Sequence, residues 1–418
     1  MSTARQDAVD RLVREFDWHD PEYTPDLAEE VNRVIRERSA VGWTPAHGGL
    51  WILSRHDDVR AALKDHTVFS SGSGVFHPRA AGMPLFSPIE FDPPEHGELR
   101  RLMAPPLHNE EVRRLGTGVA ALAAELIGPL AGRGHGDFVA EVAHPLAIGV
   151  LALAIGLSEN AQDRVRELTS NLWQHLSKDS DADEFWPQFR ELLADEVRAA
   201  RAEPGDHYLS RLARTTVDGR PLEEERLHSI IVSLCIAGHQ TTLNTLSRML
   251  WNLARNPEIQ RRLRAEPELI PVVGDETMRR WCPTDRFTRV TTRDVSIAGT
   301  TIPRGARVVL LLDAANRDPA KFPDPDAFSL DRGTSHHHLS FGHGIHHCLG
   351  AGLARAEFRA VLHELARHPV YHLDGESERH FENGRHVVFD QVRVRFEDTD
   401  GEGPGHPDDR NGEEAHDD

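Results

Sequence analysis

The segment from Phe341 to Gly350 constrains the fold of this chain most, because it places a cysteine in a glycine-rich loop directly before a helical pattern. Apolar residues follow at near-helical spacing, which predicts a helix from Gly350 to about His368 with one buried face. Backbone N–H groups and the helix dipole at that position favour an ionised Cys348 sulfur. The glycines let the backbone pass close to a flat, bulky group. Such an environment suits a cysteine bound to haem iron.

Residues 341–357 also resemble a known motif. The order Phe-Gly-x-Gly-x-His-x-Cys-x-Gly, followed by Leu-Ala-Arg-x-Glu, is similar to the haem-binding loop of the cytochrome P450 family. The resemblance implies haem b as the cofactor and Cys348 as the axial ligand of its iron. It further implies cofactor-binding positions at Phe341, Gly342, His346 and Gly350.

Histidines crowd the same region, which leaves a zinc site as an alternative. Six of them lie between positions 336 and 347, next to Cys348. Zinc sites pair their ligands at regular offsets, and a second Cys or His pair is not evident elsewhere in the sequence. We therefore favour haem over zinc.

Charge and composition exclude some functions. The net charge of −19 argues against nucleic acid as a partner, because a nucleic-acid binder needs a basic surface. Acidic residues, Gly, Pro and Asn dominate from position 398, which predicts a disordered tail over 398–418 behind one catalytic domain over 1–397. Three cysteines fit a reducing compartment. The start lacks a signal peptide, and the apolar run 146–157 is too short to span a bilayer. We expect a cytoplasmic protein without a membrane segment.

The periodicity along the chain is mainly helical. Helical patterns dominate from about 109 to 271, with breaks at 132–136 and 203–206. Short strand-like segments lie at 50–54, 295–297, 307–312 and 386–394. This pattern predicts a mainly α fold with a small β portion. The resemblance implies the cytochrome P450 fold, with haem between a long central helix and the helix of the cysteine loop.

The segment 70–94 has no clear period and is rich in Gly, Ser and Pro. A long irregular segment within a compact domain is usually functional or mobile. In the family that it resembles, this region covers the substrate pocket, so Phe76 and Phe86 are candidates for pocket-lining residues. An ordinary surface loop is the alternative.

A continuous helical pattern runs from 222 to about 255, and its middle is apolar nearly all round, as in a helix that crosses a protein interior. A polar cluster interrupts it at 237–242. This cluster is similar to the family's Ala-Gly-x-(Asp/Glu)-Thr-Thr element on the oxygen side of haem, and Thr241 matches the alcohol that hydrogen-bonds dioxygen. The catalytic positions implied by the resemblance are Ala237, Gly238, Gln240 and Thr241.

Gln240 departs from the family pattern, because it stands where the family usually has an acid. A carboxyl group relays protons and an amide does not, and general acid–base help is worth about 100- to 10,000-fold in rate. In one interpretation, water and Thr241 carry the protons and oxygen insertion proceeds more slowly. In the other, the enzyme abstracts hydrogen and couples radicals of an aromatic substrate, such as an indole-bearing cyclic dipeptide, without inserting oxygen.

The propionate groups of haem are anions that need Arg and His partners. His96 and Arg100 lie four residues apart and would share one helical face. They match the family's His-x-x-x-Arg propionate pair, and Arg289 and His338 match its two further propionate contacts.

An E-x-x-R pair, Glu276 and Arg279, lies on a predicted helix, and Arg332 follows about fifty residues later. By itself, the E-x-x-R pattern indicates only a common ion pair between residues three positions apart on a helix. Together the three residues resemble the family's buried Glu-Arg-Arg cluster, which has a structural role on the proximal side of haem.

Neither a flavin nor a nicotinamide fingerprint follows a strand in the sequence. The resemblance therefore implies a monooxygenase that uses dioxygen and a small-molecule substrate and receives its electrons from a ferredoxin and its reductase. Candidate residues for a basic patch that docks the ferredoxin are Arg101, Arg355 and Arg359. Modification of secondary metabolites is the expected role. A peroxide-driven enzyme of the same fold is a further alternative, whereas a haem sensor is disfavoured because the sequence shows no regulatory module.

Overall fold

The computed structural model describes residues 3–79, 83–176, 182–382 and 385–398. Helices make up 55% and strands 13% of the structure, which confirms the predicted mainly α fold with a small β portion. The predicted tail lies outside the described residues except for its first residue. The assignment of 1–397 to one catalytic domain stays a prediction.

The elements alternate unevenly along the chain. The α-helices are α1 (Thr3–Glu15), α2 (Pro25–Arg38), α3 (His56–Lys64), α4 (Glu95–Met103), α5 (Asn109–Gly132), α6 (His144–Ile155), α7 (Glu159–Leu176), α8 (Ala182–Ala202), α9 (Tyr208–Leu212), α10 (Glu224–Arg255), α11 (Pro257–Ala265), α12 (Ile270–Arg280), α13 (Leu312–Asn316) and α14 (Ala351–Leu365). The strands are β1 (Val41–Thr44), β2 (Leu50–Leu53), β3 (Phe69–Ser70), β4 (His135–Asp137), β5 (Thr216–Val217), β6 (Arg220–Pro221), β7 (Arg286–Thr291), β8 (Val295–Ile297), β9 (Thr300–Ile302), β10 (Arg307–Leu311), β11 (Tyr371–Leu373), β12 (Arg379–Glu382), β13 (His386–Phe389) and β14 (Arg393–Phe396).

Helix α10 crosses the interior of the molecule. It has 32 residues, which corresponds to about 48 Å, and most of its residues from Ile230 onward are buried. It packs against α6, α7, α8 and α12. The helix begins two residues later than the sequence predicted, because the Leu222 N–H donates to the Thr215 carbonyl oxygen (3.0 Å) beside the β5–β6 hairpin.

Helix α14 follows the cysteine loop and packs its buried face against α5 and α12. It ends at Leu365, three residues before the predicted end. The chain nevertheless continues in a helical turn, since the His368 N–H donates to the Leu365 carbonyl oxygen (3.1 Å). The helix thus holds the loop 341–350 against the core from one side.

The largest sheet has the strand order β1-β2-β10-β7-β3. Strands β2 and β10, both predicted, pair in parallel with Val309 opposite Ile52. The sequence did not reveal β7. Its polar residues Thr288 and Arg289 are buried whereas Phe287 is half-buried, so the strand lacks the usual alternation of apolar inside and polar outside.

The single strand predicted over 386–394 is wrong. Strand β13 ends at Phe389 and pairs with β12, whereas β14 begins at Arg393 and pairs with β11 and β4. The two strands belong to different sheets, so the chain has to turn between them.

Helix α5 is the one helix in the described part of the chain that is long and apolar enough to cross a membrane by length and composition. Its buried residues are Val112, Leu115, Val119, Ala123, Ile127 and Leu130, at intervals of three or four positions. This spacing puts them on one face, which packs into the same core cluster as residues of α14. The helix therefore serves as a support of the site.

Candidate active site

A cavity of about 270 Å³ lies between α10 and the loop 341–350. Helices α4, α6 and α14 and the segment 76–89 complete its wall, and Phe76 and Phe86 are among the lining residues. Most lining side chains are apolar. The polar ones are Ser87, Arg100, Ser233, Thr241, Thr242, Thr284, Ser340, His346, His347, Cys348, Glu357 and His386.

The loop 341–350 is closed by its own backbone. The Cys348 N–H donates to the Phe341 carbonyl oxygen (2.8 Å), and the His347 N–H donates to the Gly344 carbonyl oxygen (3.1 Å). Gly344 has a φ of +73°, and a Cβ there would lie 2.8 Å from the Leu63 carbonyl oxygen. Glycine is therefore required where the loop meets the end of α3, and this contact helps to present Cys348 to the cavity.

Two opposing influences act on the Cys348 sulfur. The Cys348 side chain is exposed to the cavity, but the surrounding protein desolvates the sulfur and raises the pKa of the thiol, whereas the N–H groups of Gly350 and Ala351 and the charges of Arg100 and Arg355 lower it. Desolvation is the larger influence, so the net shift is opposite to the one expected from the helix N-terminus alone. A bound metal cation deprotonates a coordinating thiol, which makes this environment compatible with a metal-bound thiolate.

Four basic side chains from three parts of the sequence meet beside the cysteine loop: His96, Arg100, Arg289 and His346. The rings of His96 and His346 have centroids 4.5 Å apart and planes at 72°. Arg100 Nη2 donates to the His347 carbonyl oxygen (2.8 Å). Arg289 is buried, and burial lowers its pKa to about 10.

This group has unused capacity to bind an anion. The buried His96 Nε2 and His346 Nδ1 atoms have no hydrogen-bond partner among the described residues. Burial and the nearby charge of Arg289 lower the pKa of His346 to about 2. Within the described ranges, no carboxylate forms an ion pair with Arg100 or Arg289. Because buried polar groups need partners, these residues fit the propionate groups of haem.

The structure does not bring His338 into this group. His338 Nδ1 accepts a hydrogen bond from the Ser340 N–H (3.1 Å), and its Nε2 lies 3.6 Å from Asp275 Oδ1. Arg355 Nε donates to the same Asp275 oxygen (2.8 Å). The His338 ring packs beside that of Phe341 (5.3 Å) and does not line the cavity. Its surroundings are those of a residue that supports the cysteine loop.

Helix α10 presents Ala237, Gly238, Thr241 and Thr242 to the cavity. The Thr241 hydroxyl donates to the Ala237 carbonyl oxygen (2.8 Å), as threonines in helices commonly do. Its oxygen lone pairs stay available, so the hydroxyl can accept a hydrogen bond from a group in the cavity without rotating.

The intervening residues of α10 lie outside the cavity wall. Gln240 is buried, its Nε2 donates to Asn244 Oδ1 (3.2 Å), and it does not line the cavity. His239 Nδ1 lies 2.6 Å from Thr169 Oγ1, and burial lowers the pKa of this histidine to about 3. A catalytic role of Gln240 stays a prediction, and its side chain would have to act from outside the cavity wall.

The Glu-Arg-Arg cluster is assembled around Glu276. Arg279 Nε and Nη2 donate to the two Glu276 oxygens (2.8 and 2.9 Å), and Arg332 Nε donates to Oε1 (3.1 Å). Ser329 and Ser335 supply two more hydrogen bonds. Burial alone would raise the pKa of Glu276, but the hydrogen bond and charge of Arg279 lower it below its usual range.

Two buried acids near the cavity were not recognised as site residues from the sequence. Glu357 lines the cavity, its Oε2 has no hydrogen-bond partner among the described residues, and burial raises its pKa well above the usual range. Glu90 lies in the irregular segment above the cavity and is fully buried. Glu357 ends the Leu-Ala-Arg-x-Glu part of the motif and Glu90 belongs to no motif, but in neither case does the sequence show that the acid is buried, because burial depends on tertiary packing.

A central helix that faces a cysteine loop, with an anion-binding group beside it, defines a haem-thiolate protein. A model of the family "Cytochrome P450" matches residues 157–389. The chain belongs to the cytochrome P450 family and is a P450 monooxygenase. This family carries haem b with a cysteine thiolate as the axial ligand.

Several characterised proteins are similar to the chain. Cytochrome P450 107B1 of Saccharopolyspora erythraea is 34% identical over 75% of this chain and 80% of its own length. Cyclomarin C epoxidase of Salinispora arenicola is 34% identical over 82% of this chain and 89% of its own. The crystal structure of CYP108D1 from Novosphingobium aromaticivorans has a TM-score of 0.80 at 26% identity and covers 93% of this chain and 98% of that one.

Proposed function

We propose that this P450 monooxygenase tailors a small, neutral and largely apolar secondary metabolite in the cytoplasm. The cavity wall is mostly apolar, and its charged residues have other uses. Arg100 belongs to the anion-binding group, and burial raises the pKa of Glu357, which disfavours its charged form. The space left for a substrate therefore offers hydroxyl groups rather than charges. Similar proteins include cyclomarin C epoxidase and erythromycin C-12 hydroxylase, both tailoring enzymes by name.

Cys348 is the proposed axial ligand, and His96, Arg100, Arg289 and His346 are the proposed propionate partners. The observation that carries this proposal is the position of Cys348 in the same cavity as Thr241, beside buried nitrogens of His96 and His346 that find no hydrogen-bond partner among the described residues. Haem b supplies dioxygen activation with two electrons and two protons, and the protein positions the substrate and controls water.

Carbon monoxide provides the direct test of the cysteine. Added to the reduced protein, it gives the thiolate-shifted Soret band only if the sulfur ligates iron. We expect the band in the unmodified protein and its loss in Cys348→Ser. Cys282→Ser is the matched control, because Cys282 is half-buried and donates to the Thr284 carbonyl oxygen (3.0 Å) outside the cysteine loop. An unchanged band in Cys348→Ser would refute the assignment.

Thr241 is the proposed proton-handling group on the oxygen side, with Ala237 and Gly238 leaving space beside it. Its Oγ1 can accept a hydrogen bond from a donor in the cavity while its own O–H donates to the Ala237 carbonyl oxygen. Thr241→Val keeps the shape and removes this capacity. We expect slower product formation and more reducing equivalents lost to peroxide, with the thiolate-type spectrum retained.

Gln240 leaves two reaction outcomes open. Its contact with Asn244, outside the cavity wall, supports ordinary oxygen insertion in which water and Thr241 carry the protons. The alternative is radical coupling of an aromatic substrate, such as an indole-bearing cyclic dipeptide, without oxygen insertion. Gln240→Glu separates the two. A rise in the ratio of hydroxylated to coupled product would support coupling as the natural outcome, and an unchanged ratio would eliminate that alternative.

A ferredoxin and its reductase are the proposed electron donors. Arg101 and Arg359 are exposed and form no ion pair in the described part of the chain, whereas Arg355 is paired with Asp275. The first two are therefore the better docking candidates. In Arg359→Glu, we expect weaker ferredoxin-driven turnover and unchanged peroxide-driven turnover. Equal losses in both assays would contradict docking, and full activity without added ferredoxin would favour a peroxide-driven enzyme.

A further inference from the structure

One ion pair, between the half-buried Arg79 and the buried Glu90, links several parts of the segment that covers the cavity. This segment comprises residues 75–90, of which 80–82 lie outside the described residues. It places Phe76 and Phe86 in the cavity wall, with ring centroids 5.5 Å apart and planes at 87°. Its described part contains neither helix nor strand. Side-chain contacts and the attachments at the two ends of the segment therefore have to fix where the two rings lie.

Glu90 binds both arms of the segment with one carboxylate. Its Oε1 accepts a hydrogen bond from the Val75 N–H and its Oε2 accepts one from the Phe86 N–H, both at 2.8 Å. Val75 leads directly into Phe76. The carboxylate therefore holds the backbone at both aromatic residues.

Arg79 spans the segment between these two points. Its Nη1 donates to Glu90 Oε1 (2.7 Å), and its Nη2 donates to the carbonyl oxygens of Met83 (3.2 Å) and Pro84. The pair is packed tightly against Gly74, where φ is +87° and a Cβ would lie 3.0 Å from Arg79 Nη1. The guanidinium group thus ties the middle of the segment to its buried acid.

The ends of the segment have anchors that do not involve the ion pair. The Val75 carbonyl oxygen accepts a hydrogen bond from the Thr288 N–H of β7 (2.9 Å). At the other end, the Ser87 N–H donates to Ser233 Oγ of α10 (2.9 Å). These contacts would persist without Arg79, so its loss should loosen the middle of the segment while the ends stay attached.

We propose that Arg79 and Glu90 are positioning residues that set the two aromatic walls and thereby select bulky ligands in the haem pocket. This inference rests on the proposed function, because it takes the cavity to be the ligand pocket above haem. A ligand large enough to touch Phe76 and Phe86 depends on the pair. A ligand that occupies only the space next to the iron does not.

Two nitrogen ligands of haem iron differ in size and therefore in whether they can reach Phe76 and Phe86. Imidazole is small, whereas 4-phenylimidazole extends a ring into the pocket. Both are titrated by absorption spectroscopy into haem-loaded Arg79→Met, Arg79→Lys and Glu90→Gln. The control is Arg280→Met, which removes a comparable ion pair: Arg280 donates twice to Glu29 (3.1 Å each), and neither residue lines the cavity.

We expect Arg79→Met to raise the Kd of 4-phenylimidazole about tenfold, equivalent to about 1.4 kcal/mol, and that of imidazole by less than about twofold. Arg79→Lys should lie between, since lysine keeps the charge but cannot reproduce the planar fork. Equal effects on both ligands, or none, would overturn the inference. Absence of the thiolate-type carbon monoxide band in the unmodified protein would instead overturn the proposed function.

Amide hydrogen exchange provides a second measurement that does not depend on the binding of haem ligands. It can therefore also be made on Glu90→Gln if that variant binds haem poorly. Because the Phe86 N–H donates to Glu90, exchange in peptides covering 83–90 should accelerate in Arg79→Met and Glu90→Gln but not in Arg280→Met. Unchanged exchange in both variants would show that the pair does not hold the segment.

Discussion

Replacement of Arg279 by Met should destabilise the protein strongly, because this arginine is the centre of a buried network. Its side chain is fully buried and donates five hydrogen bonds. Two reach Glu276, and the others reach the carbonyl oxygens of Asn316, Pro325 and Ala327 at 2.8–3.1 Å. Met has a similar length but cannot donate any of them.

The expected loss in free energy of unfolding is about 3–5 kcal/mol, the range for removing one partner of a buried ion pair. Arg332 still neutralises part of the Glu276 charge, which keeps the loss within that range. The Ala327 carbonyl oxygen keeps a hydrogen bond from Arg332 Nη2 (2.9 Å). Those of Asn316 and Pro325 would each cost about 1–3 kcal/mol if they stayed unsatisfied, so rearrangement or water entry must recover part of their hydrogen bonding.

The neighbouring residue supplies the control. Arg280 also pairs with a glutamate, but its side chain is 12% exposed and that of Glu29 is 33% exposed. Arg280→Met should therefore cost only about 1 kcal/mol. Urea unfolding followed by far-ultraviolet circular dichroism measures both variants on the haem-loaded protein. If Arg279→Met were no less stable than Arg280→Met, the buried network would not have the energetic role inferred from its geometry.

Three more outcomes follow from the structure. His96→Phe and His346→Phe should each weaken haem binding about tenfold, measured by haem transfer to apomyoglobin, because each removes a hydrogen bond to an anion. Glu357→Gln should gain stability over the unmodified protein as pH rises, since a raised folded pKa makes the acid destabilising above its unfolded pKa of about 4.3; a pH-independent difference in urea midpoint would contradict this. Gln260→Leu should cost about 2–3 kcal/mol, because its amide bonds both the N–H and the carbonyl oxygen of Tyr371.

Sequence reasoning succeeded where chemistry follows local spacing. The fold class, the P450 family and the haem-thiolate cofactor are confirmed. The helical pattern around Thr241 also located α10 within two residues of its observed start. In each case the informative residues lie within a few positions of one another, so periodicity and motif order carry the information.

The rest of the site depends on contacts between distant parts of the chain. The buried Glu90 accepts hydrogen bonds from two backbone N–H groups and from Arg79. No rule of sequence spacing predicts these contacts. Likewise, the family motif assigned both His338 and His346 to haem binding, but only packing shows that His346 lies beside His96 whereas His338 lies beside Asp275. The assignment of His338 to a propionate stays a prediction. Strand β7 escaped detection because its buried face is polar.

The contact between the cysteine loop and α3 means that Cys348, the proposed iron ligand, is supported by a helix from a much earlier part of the sequence. Gly344 abuts the Leu63 carbonyl oxygen, and His56 Nε2 lies 3.1 Å from the His337 carbonyl oxygen, 281 residues away in sequence. The ten-residue signature is thus not a transplantable unit. If it were grafted elsewhere, or if the first sixty-odd residues were removed, its sequence would be unchanged but the contacts with α3 that support Cys348 would be lost.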